Sequence, residues 1–282
     1  MIDDFTGSAK VVNKGKIEGG EYAVGFGGSS DAKVVNKGDI KGGTVGVFFD
    51  PDSPSAKGPI LENHGTIKAF LYGVVIDGGA GVDAKVVNHK GAVIDGNLYA
   101  LVSEDKLDLT NKGKIEGTVL TGEFDDKVIN KGKIDGNVIL GEGNDVFKMK
   151  GDKAKAGMID MGPGNDLVVL GKKADKLLFD SALNAATNVD TVKKFQSGKD
   201  KMYLDEGIFS AIAPGTLSSS AFHKGSSAAD ADDRIIYDKS TGALYYDPDG
   251  VGGVAQTQFA KLDPGTKLKA SDFMIGEYSI SI

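Results

Sequence analysis

The chain has 282 residues, of which 41 are glycine and none is cysteine, and its formal net charge is −7. Binding to phosphates needs clustered lysine and arginine, so this charge disfavours nucleic acid as the main partner. The lack of cysteine excludes disulfides and thiolate metal sites. Hydrophobic residues make up 40%, enough for a packed core, and the glycine content indicates many tight turns in an all-β chain.

The N-terminal segment MIDDFTGSAK is acidic and polar. A signal peptide has a basic start followed by an apolar run, so this segment does not resemble one. No stretch of the sequence is apolar and long enough to predict a membrane span. We therefore expect no membrane insertion, and export only by a route that does not read the N-terminus.

A repeat of the form Asn-x-Gly-x-Ile-x-Gly is the strongest pattern in the sequence. A period of about 20–25 residues with two short apolar strands per unit is typical of a parallel β-solenoid, in which each unit forms one coil. We predict roughly eight coils of the β-roll or β-helix kind over residues 1–173, since coils stack at the spacing of β-strands. The repeat begins at Asn13, Asn36, Asn111 and Asn130, with looser copies at Asn63 and Asn88.

Stacked coils bring equivalent residues into columns. The repeat isoleucines predict an internal aliphatic column, and the repeat asparagines predict a column of amide hydrogen bonds. His64 and His89 each follow a repeat asparagine and are expected to stack on neighbouring coils. Lysine follows the other four asparagines, which predicts a solvated face that discourages edge aggregation. A binding face for an acidic polymer is the alternative.

Three turns of the form Gly-x-Gly-x-Asp precede strands. Calcium takes six to eight oxygen ligands, which bent glycine backbones and aspartate carboxylates supply. Equivalent turns on adjacent coils lie over one another, so two half-sites can close around one Ca²⁺ ion; a glycine-rich turn with a solvated aspartate is the alternative. The best pair contains Asp145 and Asp166. The candidate ligands are Gly79, Gly81 and Asp83, Gly141, Gly143 and Asp145, Gly162, Gly164 and Asp166, and a degenerate copy at Asp125.

The segments GGAGVDAKV, GEGNDVFKM and GPGNDLVVL resemble the nonapeptide G-G-x-G-x-D-x-U-x of RTX (hemolysin-type calcium-binding) proteins, where U is a large apolar residue. Leu140 and Met161 replace the first glycine of the last two copies, and Lys85 replaces the apolar residue of the first. The resemblance implies a calcium-dependent β-solenoid.

From about residue 174 the repeat stops, and residues 174–282 are predicted to form a smaller β-rich domain. Apolar–polar alternation around DKSTG and DPDGVGG predicts β-hairpins. The stretch from Leu177 to Ile275 resembles the C-terminal domain of RTX proteins exported by type I secretion, which serralysin-like proteases and mannuronan C5-epimerases share. This resemblance implies a C-terminal export signal and an extracellular or cell-surface location.

Further aspartates in this region are candidate calcium ligands. Asp247 and Asp249 belong to a DPDG segment, for which a hairpin turn is the alternative interpretation. A nearby cluster comprises Asp230, Asp232 and Asp233. The resemblance to RTX proteins adds Asp190, Asp200 and Asp205.

No catalytic motif occurs in the sequence: HExxH, G-x-S-x-G, a P-loop and C-x-x-C are all missing. We therefore expect a secreted, calcium-binding structural protein with a matrix, surface-layer or adhesion role, folding as it meets extracellular calcium. Uncapped coils also favour self-assembly. The alternative is a carbohydrate-binding or polysaccharide-modifying module, of the epimerase or lyase type, acting on acidic polysaccharide.

Overall fold

A computed structural model describes residues 8–28, 31–51, 57–79 and 81–278. The chain is nearly all β and forms a parallel β-solenoid of about eight turns, which confirms the predicted fold class. Contacts divide it into two compact units, unit 1 (Met1–Glu142 and Met149–Gly157) and unit 2 (Gly143–Lys148 and Met158–Ile282). The sequence-based division after residue 173 stays a prediction.

Unit 1 is built from short strands separated by turns of two or more residues. They are β1 (Ser8–Asn13), β2 (Lys16–Gly19), β3 (Tyr22–Gly27), β4 (Asp31–Asn36), β5 (Asp39–Gly42), β6 (Val45–Asp50), β7 (Ile60–Asn63), β8 (Thr66–Ala69), β9 (Tyr72–Ile76), β10 (Ala84–Asn88), β11 (Val93–Ser103), β12 (Leu107–Asn111), β13 (Lys114–Leu120), β14 (Lys127–Asn130), β15 (Lys133–Ile134) and β16 (Val138–Ile139).

The strands of unit 1 pair in parallel between coils. One face is formed by β1-β4-β7-β10-β12-β14, and a second by β2-β5-β8-β11-β13. A third face is formed by β3, β6, β9 and the later residues of β11, in that order. The register pairs repeat positions with each other, for example Asn13 with Asn36 and Ile17 with Ile40. The sequence period therefore equals the coil.

The interior of unit 1 contains the two predicted columns. The isoleucines at positions 40, 67, 94, 115 and 134 are at most 1% exposed. Each repeat asparagine donates its Nδ2 hydrogen to Oδ1 of the asparagine on the next coil at 2.8–2.9 Å, from Asn13 through to Asn130. The prediction of stacked amides is confirmed, and the buried amides avoid the cost of unmade hydrogen bonds.

Unit 2 continues with further short strands and ends in hairpins. They are β17 (Val146–Met149, its last residue assigned to unit 1), β18 (Met158–Asp160), β19 (Leu167–Val169), β20 (Lys176–Phe179), β21 (Asp190–Lys193), β22 (Lys201–Asp205), β23 (Gly215–Thr216), β24 (Phe222–His223), β25 (Ile235–Asp238), β26 (Ala243–Tyr246), β27 (Thr257–Leu262) and β28 (Phe273–Gly276), with 3-10 helices at Ser219–Ala221 and Ala270–Asp272.

Coils persist in unit 2 after the sequence repeat has stopped. The parallel runs β17-β19-β21-β27 and β18-β20-β22-β28 continue the solenoid pattern past residue 174. β25, β26 and β27 then pair antiparallel, which confirms the predicted hairpins. Among the described residues, no helix has the length and apolar character needed to cross a membrane.

Candidate metal centre

In unit 2, residues 143–145 of the GEGND turn lie directly over residues 164–166 of the GPGND turn on consecutive coils, as the sequence predicted. The backbone N–H of Asp145 donates to Oδ1 of Asp166 at 2.7 Å, and the N–H of Gly143 donates to the Pro163 carbonyl at 3.2 Å. Gly164 has φ +152°, and a Cβ there would lie 1.7 Å from the Gly143 carbonyl oxygen. Only glycine permits this approach of two backbones.

The aspartates of these turns continue into a column inside unit 2. The N–H of Asp166 donates to Oδ1 of Asp190 at 3.1 Å, so each carboxylate receives a backbone N–H from the coil before it. Asp145 and Asp166 are 1% exposed. Each aspartate stands two residues before an inward apolar residue, so strand alternation turns its side chain inward as well. Those apolar residues are Phe147, Val168 and Val192.

The asparagines before these aspartates hold the turns from the outer side. Oδ1 of Asn144 accepts from the N–H of Asn165 at 3.1 Å, and Oδ1 of Asn165 accepts from that of Val189 at 3.0 Å. The sequence analysis assigned no role to them. The asparagine and aspartate of one turn thus bond to opposite neighbouring coils, which fixes the turn between them.

A second row of carboxyl groups adjoins this column. Burial raises the pKa of Asp160 to about 7, with the charges of Asp180 and Asp166 adding to the effect. Burial, reinforced by Asp166, places the pKa of Asp190 well above its usual value, and burial also raises that of Asp180. We call Asp160, Asp166, Asp180 and Asp190 the acidic cluster. Neighbouring carboxyl groups thus disfavour the ionisation of Asp160 and Asp190, an effect that a bound cation would reverse.

Asp83 and Asp125 lie on the outer face of unit 1. The Asp83 side chain is 81% exposed and 3.4 Å from Lys106 Nζ, and Asp125 is also exposed. The inward positions belong to the next residues, Ala84 and Asp126. A shift of one residue exchanges the two faces of a strand, so Asp126, not Asp125, has the buried environment of Asp145 and Asp166.

Asp126 and Asp105 are buried aspartates that the sequence analysis missed. Oδ1 of Asp126 accepts from the N–H of Leu107 at 2.6 Å, and burial raises its pKa to about 6. Asp105 accepts from the N–H groups of Gly78 and Val82, both at 3.2 Å. Each is followed by a lysine and then by an apolar residue, and neither follows a complete glycine motif. The apolar residue two positions later points inward, and this pattern could have indicated that the aspartate is buried too.

The glycines of the predicted turns adopt the backbone that their motif requires. Positive φ angles occur at Gly79 (56°), Gly81 (69°), Gly141 (76°) and Gly162 (73°). The residue between the first two, Ala80, lies outside the described residues. These angles support turns that expose carbonyl oxygens, and the assignment of the glycines as calcium ligands stays a prediction.

The C-terminal aspartates accept hydrogen bonds from backbone N–H groups. Oδ1 of Asp247 accepts from the N–H of Asp249 at 3.2 Å and of Gly250 at 2.9 Å, and Oδ2 of Asp249 accepts from Gly253 at 2.9 Å. This favours the hairpin-turn interpretation of DPDG. Backbone N–H groups also donate to four other aspartates. Asp200 accepts from Asp175 and Gln196, and Asp205 accepts from Gly207 and Tyr278. Asp230 accepts from Asp232, and Asp233 accepts from Ala229 and Asp230.

His64 and His89 stack as predicted, with ring centroids 3.7 Å apart and planes at 12°. One ligand atom from each of Glu62, His64 and His89 lies within 4.8 Å of the other two, and no other trio of His, Cys, Asp or Glu in the described ranges does so. The acidic cluster does not converge that closely, so calcium beside it would need carbonyl oxygens from the glycine turns as well.

Comparison with known proteins gives no match, either to a family model or to a curated protein sequence. The resemblance to RTX proteins therefore depends on the sequence motifs quoted above.

Proposed function

We propose that this chain is a non-catalytic, calcium-binding structural protein of the RTX type, exported by type I secretion and folded outside the cell. The observation that carries the proposal is the acidic cluster beside the stacked turns of Gly143 and Gly164. The β-solenoid itself is compatible with a repeat structural protein.

Electrostatics explain why calcium suits this place. Burial and neighbouring carboxyl groups raise the pKa of Asp160 and of Asp190, so ionising these two groups at neutral pH destabilises the folded chain. A divalent cation offsets that repulsion, and Ca²⁺ accepts the mixture of carboxylate and carbonyl oxygens that these turns offer. Binding to the folded state alone then drives folding as the calcium concentration rises.

Secretion and calcium binding fit one physical scheme. Extracellular calcium modules have dissociation constants of about 0.1–1 mM, well above cytosolic calcium. The proposed carboxylates therefore repel one another inside the cell and keep the chain loosely folded for export, whereas calcium outside completes the fold. Among the strands of the described residues, β1 is an end strand of its sheet, which supports self-assembly through strand pairing.

The test is a calcium titration followed by calorimetry and circular dichroism, in wild type, Asp166→Asn and Asp39→Asn. We expect Asp166→Asn to weaken calcium binding at least tenfold. Asp39→Asn is the matched control, because its side chain is exposed on β5 and belongs to none of the candidate turns. Unchanged affinity in Asp166→Asn, or no calcium binding by the wild type at millimolar concentration, would refute the proposal.

An exposed lysine column favours a second function, binding of acidic polysaccharide. Four exposed lysines each follow a repeat asparagine, and they are Lys14, Lys37, Lys112 and Lys131. Their spacing by coils suits a polymer with regularly placed carboxylates. Alginate binding that falls with salt, and that falls further in Lys112→Gln/Lys131→Gln, would support this alternative. Retention of binding in that double variant would contradict it.

A further inference from the structure

His64 and His89 interrupt the lysine column in the middle of unit 1. Both are fixed by the asparagine ladder next to them, since the N–H of His64 donates to the Asn36 carbonyl at 2.7 Å and that of His89 to the Asn63 carbonyl at 2.8 Å. The two imidazoles are therefore held one coil apart by the backbone, and their side chains stack on the outside of the solenoid.

Glu62 adds a negative charge to this pair. It lies on the outer face of β7, and its Oε1 accepts from Lys33 Nζ at 2.7 Å. That hydrogen bond fixes the Glu62 carboxylate next to the two imidazoles. A carboxylate beside two imidazoles is the donor set of many zinc sites.

We propose that Glu62, His64 and His89 form a binding site for a borderline divalent transition-metal ion of the Zn²⁺ class. The site joins two consecutive coils, those of β7 and β10, and leaves a coordination position for water or a ligand from another molecule. Two imidazole nitrogens select such ions over Ca²⁺, which prefers oxygen ligands only. The site is thus chemically distinct from the proposed calcium sites.

The geometry needs a small adjustment to bind the ion. The three ligand atoms of Glu62, His64 and His89 now lie within 4.8 Å of one another. Ligand atoms bound to Zn²⁺ at about 2.0–2.1 Å in tetrahedral geometry lie about 3.3 Å apart. The three side chains must therefore move slightly closer together. His64 is exposed and His89 half-buried, so rotation about their side-chain bonds can turn both nitrogens towards one point.

Charged neighbours act on a cation at this site in opposite directions. Lys112 lies close to His89 and repels a cation, whereas the Glu62 carboxylate attracts it.

Calorimetric titration with Zn²⁺, and visible absorption of the Co²⁺ complex, test this proposal in buffer containing saturating calcium. We expect one Zn²⁺ per chain, with affinity at least tenfold weaker in His64→Gln, His89→Gln and Glu62→Gln. His223→Gln is the matched control, since His223 lies beside Asp233 in unit 2, and it should bind Zn²⁺ like the wild type.

The result that would overturn the proposal is a His64→Gln/His89→Gln double variant with wild-type affinity and an unchanged Co²⁺ spectrum, or a wild type that does not bind Zn²⁺ at micromolar concentration. Far-UV circular dichroism of each variant verifies folding. Because calcium is saturating throughout and the variants are in unit 1, failure here leaves the calcium proposal standing, and failure of calcium binding leaves this one.

Discussion

Replacing Asp160 by asparagine is the sharpest probe of the acidic cluster. Oδ1 of Asp160 accepts from the N–H of Gly162 at 3.2 Å, and an asparagine keeps that acceptor while removing the charge. Without calcium, we expect Asp160→Asn to be more stable than the wild type at alkaline pH, an unusual result for a change at a buried position.

The magnitude follows from the pKa. Asp160 has a pKa of about 7 instead of 3.8, and this difference corresponds to about 4 kcal/mol. Because the folded-state pKa is raised, the carboxyl group favours folding fully below pH 3.8, and this contribution is lost progressively as the pH rises towards 7. The stability gain of Asp160→Asn should therefore be near zero close to pH 4 and reach at most about 4 kcal/mol above pH 7.

Urea denaturation in calcium-free buffer across pH 4–8, followed by circular dichroism, measures this gain. Asp39→Asn is the control, because its side chain is exposed and lies outside the acidic cluster. Saturating calcium should reverse the order, since the wild type keeps its full set of carboxylates. A wild-type curve that is flat with pH, or an Asp160→Asn variant that is destabilised equally at every pH, would refute the electrostatic reasoning.

Two further predictions concern packing, and both are measured by urea denaturation. Asn88→Ala should cost about 2–4 kcal/mol, because it removes one of the two acceptors of the Asn63 amide and the donor to Oδ1 of Asn111 inside the core; a cost under about 1 kcal/mol would contradict the role of the asparagine column. Gly164→Ala should cost more than about 3 kcal/mol, because its Cβ would collide with the Gly143 carbonyl, whereas Gly20→Ala, with open space around it, should change stability by less than about 1 kcal/mol.

The fold was predictable from sequence wherever identical residues recur at the coil period. Asn36 and Ile40 stack on their counterparts because parallel pairing places equal positions side by side. The turns of Asp145 and Asp166 were predictable for the same reason. The coils of β21 and β22 were not, since their inward positions keep only apolar character, for example Val192 and Met202.

The two-residue alternation of strands places the candidate aspartates on different faces. Asp83 has the motif and Asp125 a degenerate copy of it, and both point outward, whereas Asp126 has the inward position without the motif. Glycine motifs locate a turn, but a displacement by one residue decides whether a carboxyl group meets water or core. The juxtaposition of Glu62 with two histidines depends on side-chain directions on separate coils, which spacing alone does not determine.

The asparagine ladder has a consequence for how such a chain can change in length. Neighbouring ladder residues are 23, 27, 25, 23 and 19 positions apart, yet every amide reaches its neighbour at nearly the same distance. The amide hydrogen bond between neighbouring asparagines fixes the strand register again in every coil. The connections can therefore gain or lose residues without shifting the register of the next coil. Differences in coil length are thereby absorbed by the connections and by irregularities of strand pairing, such as those between β11 and β13, and whole coils become units that duplication can add.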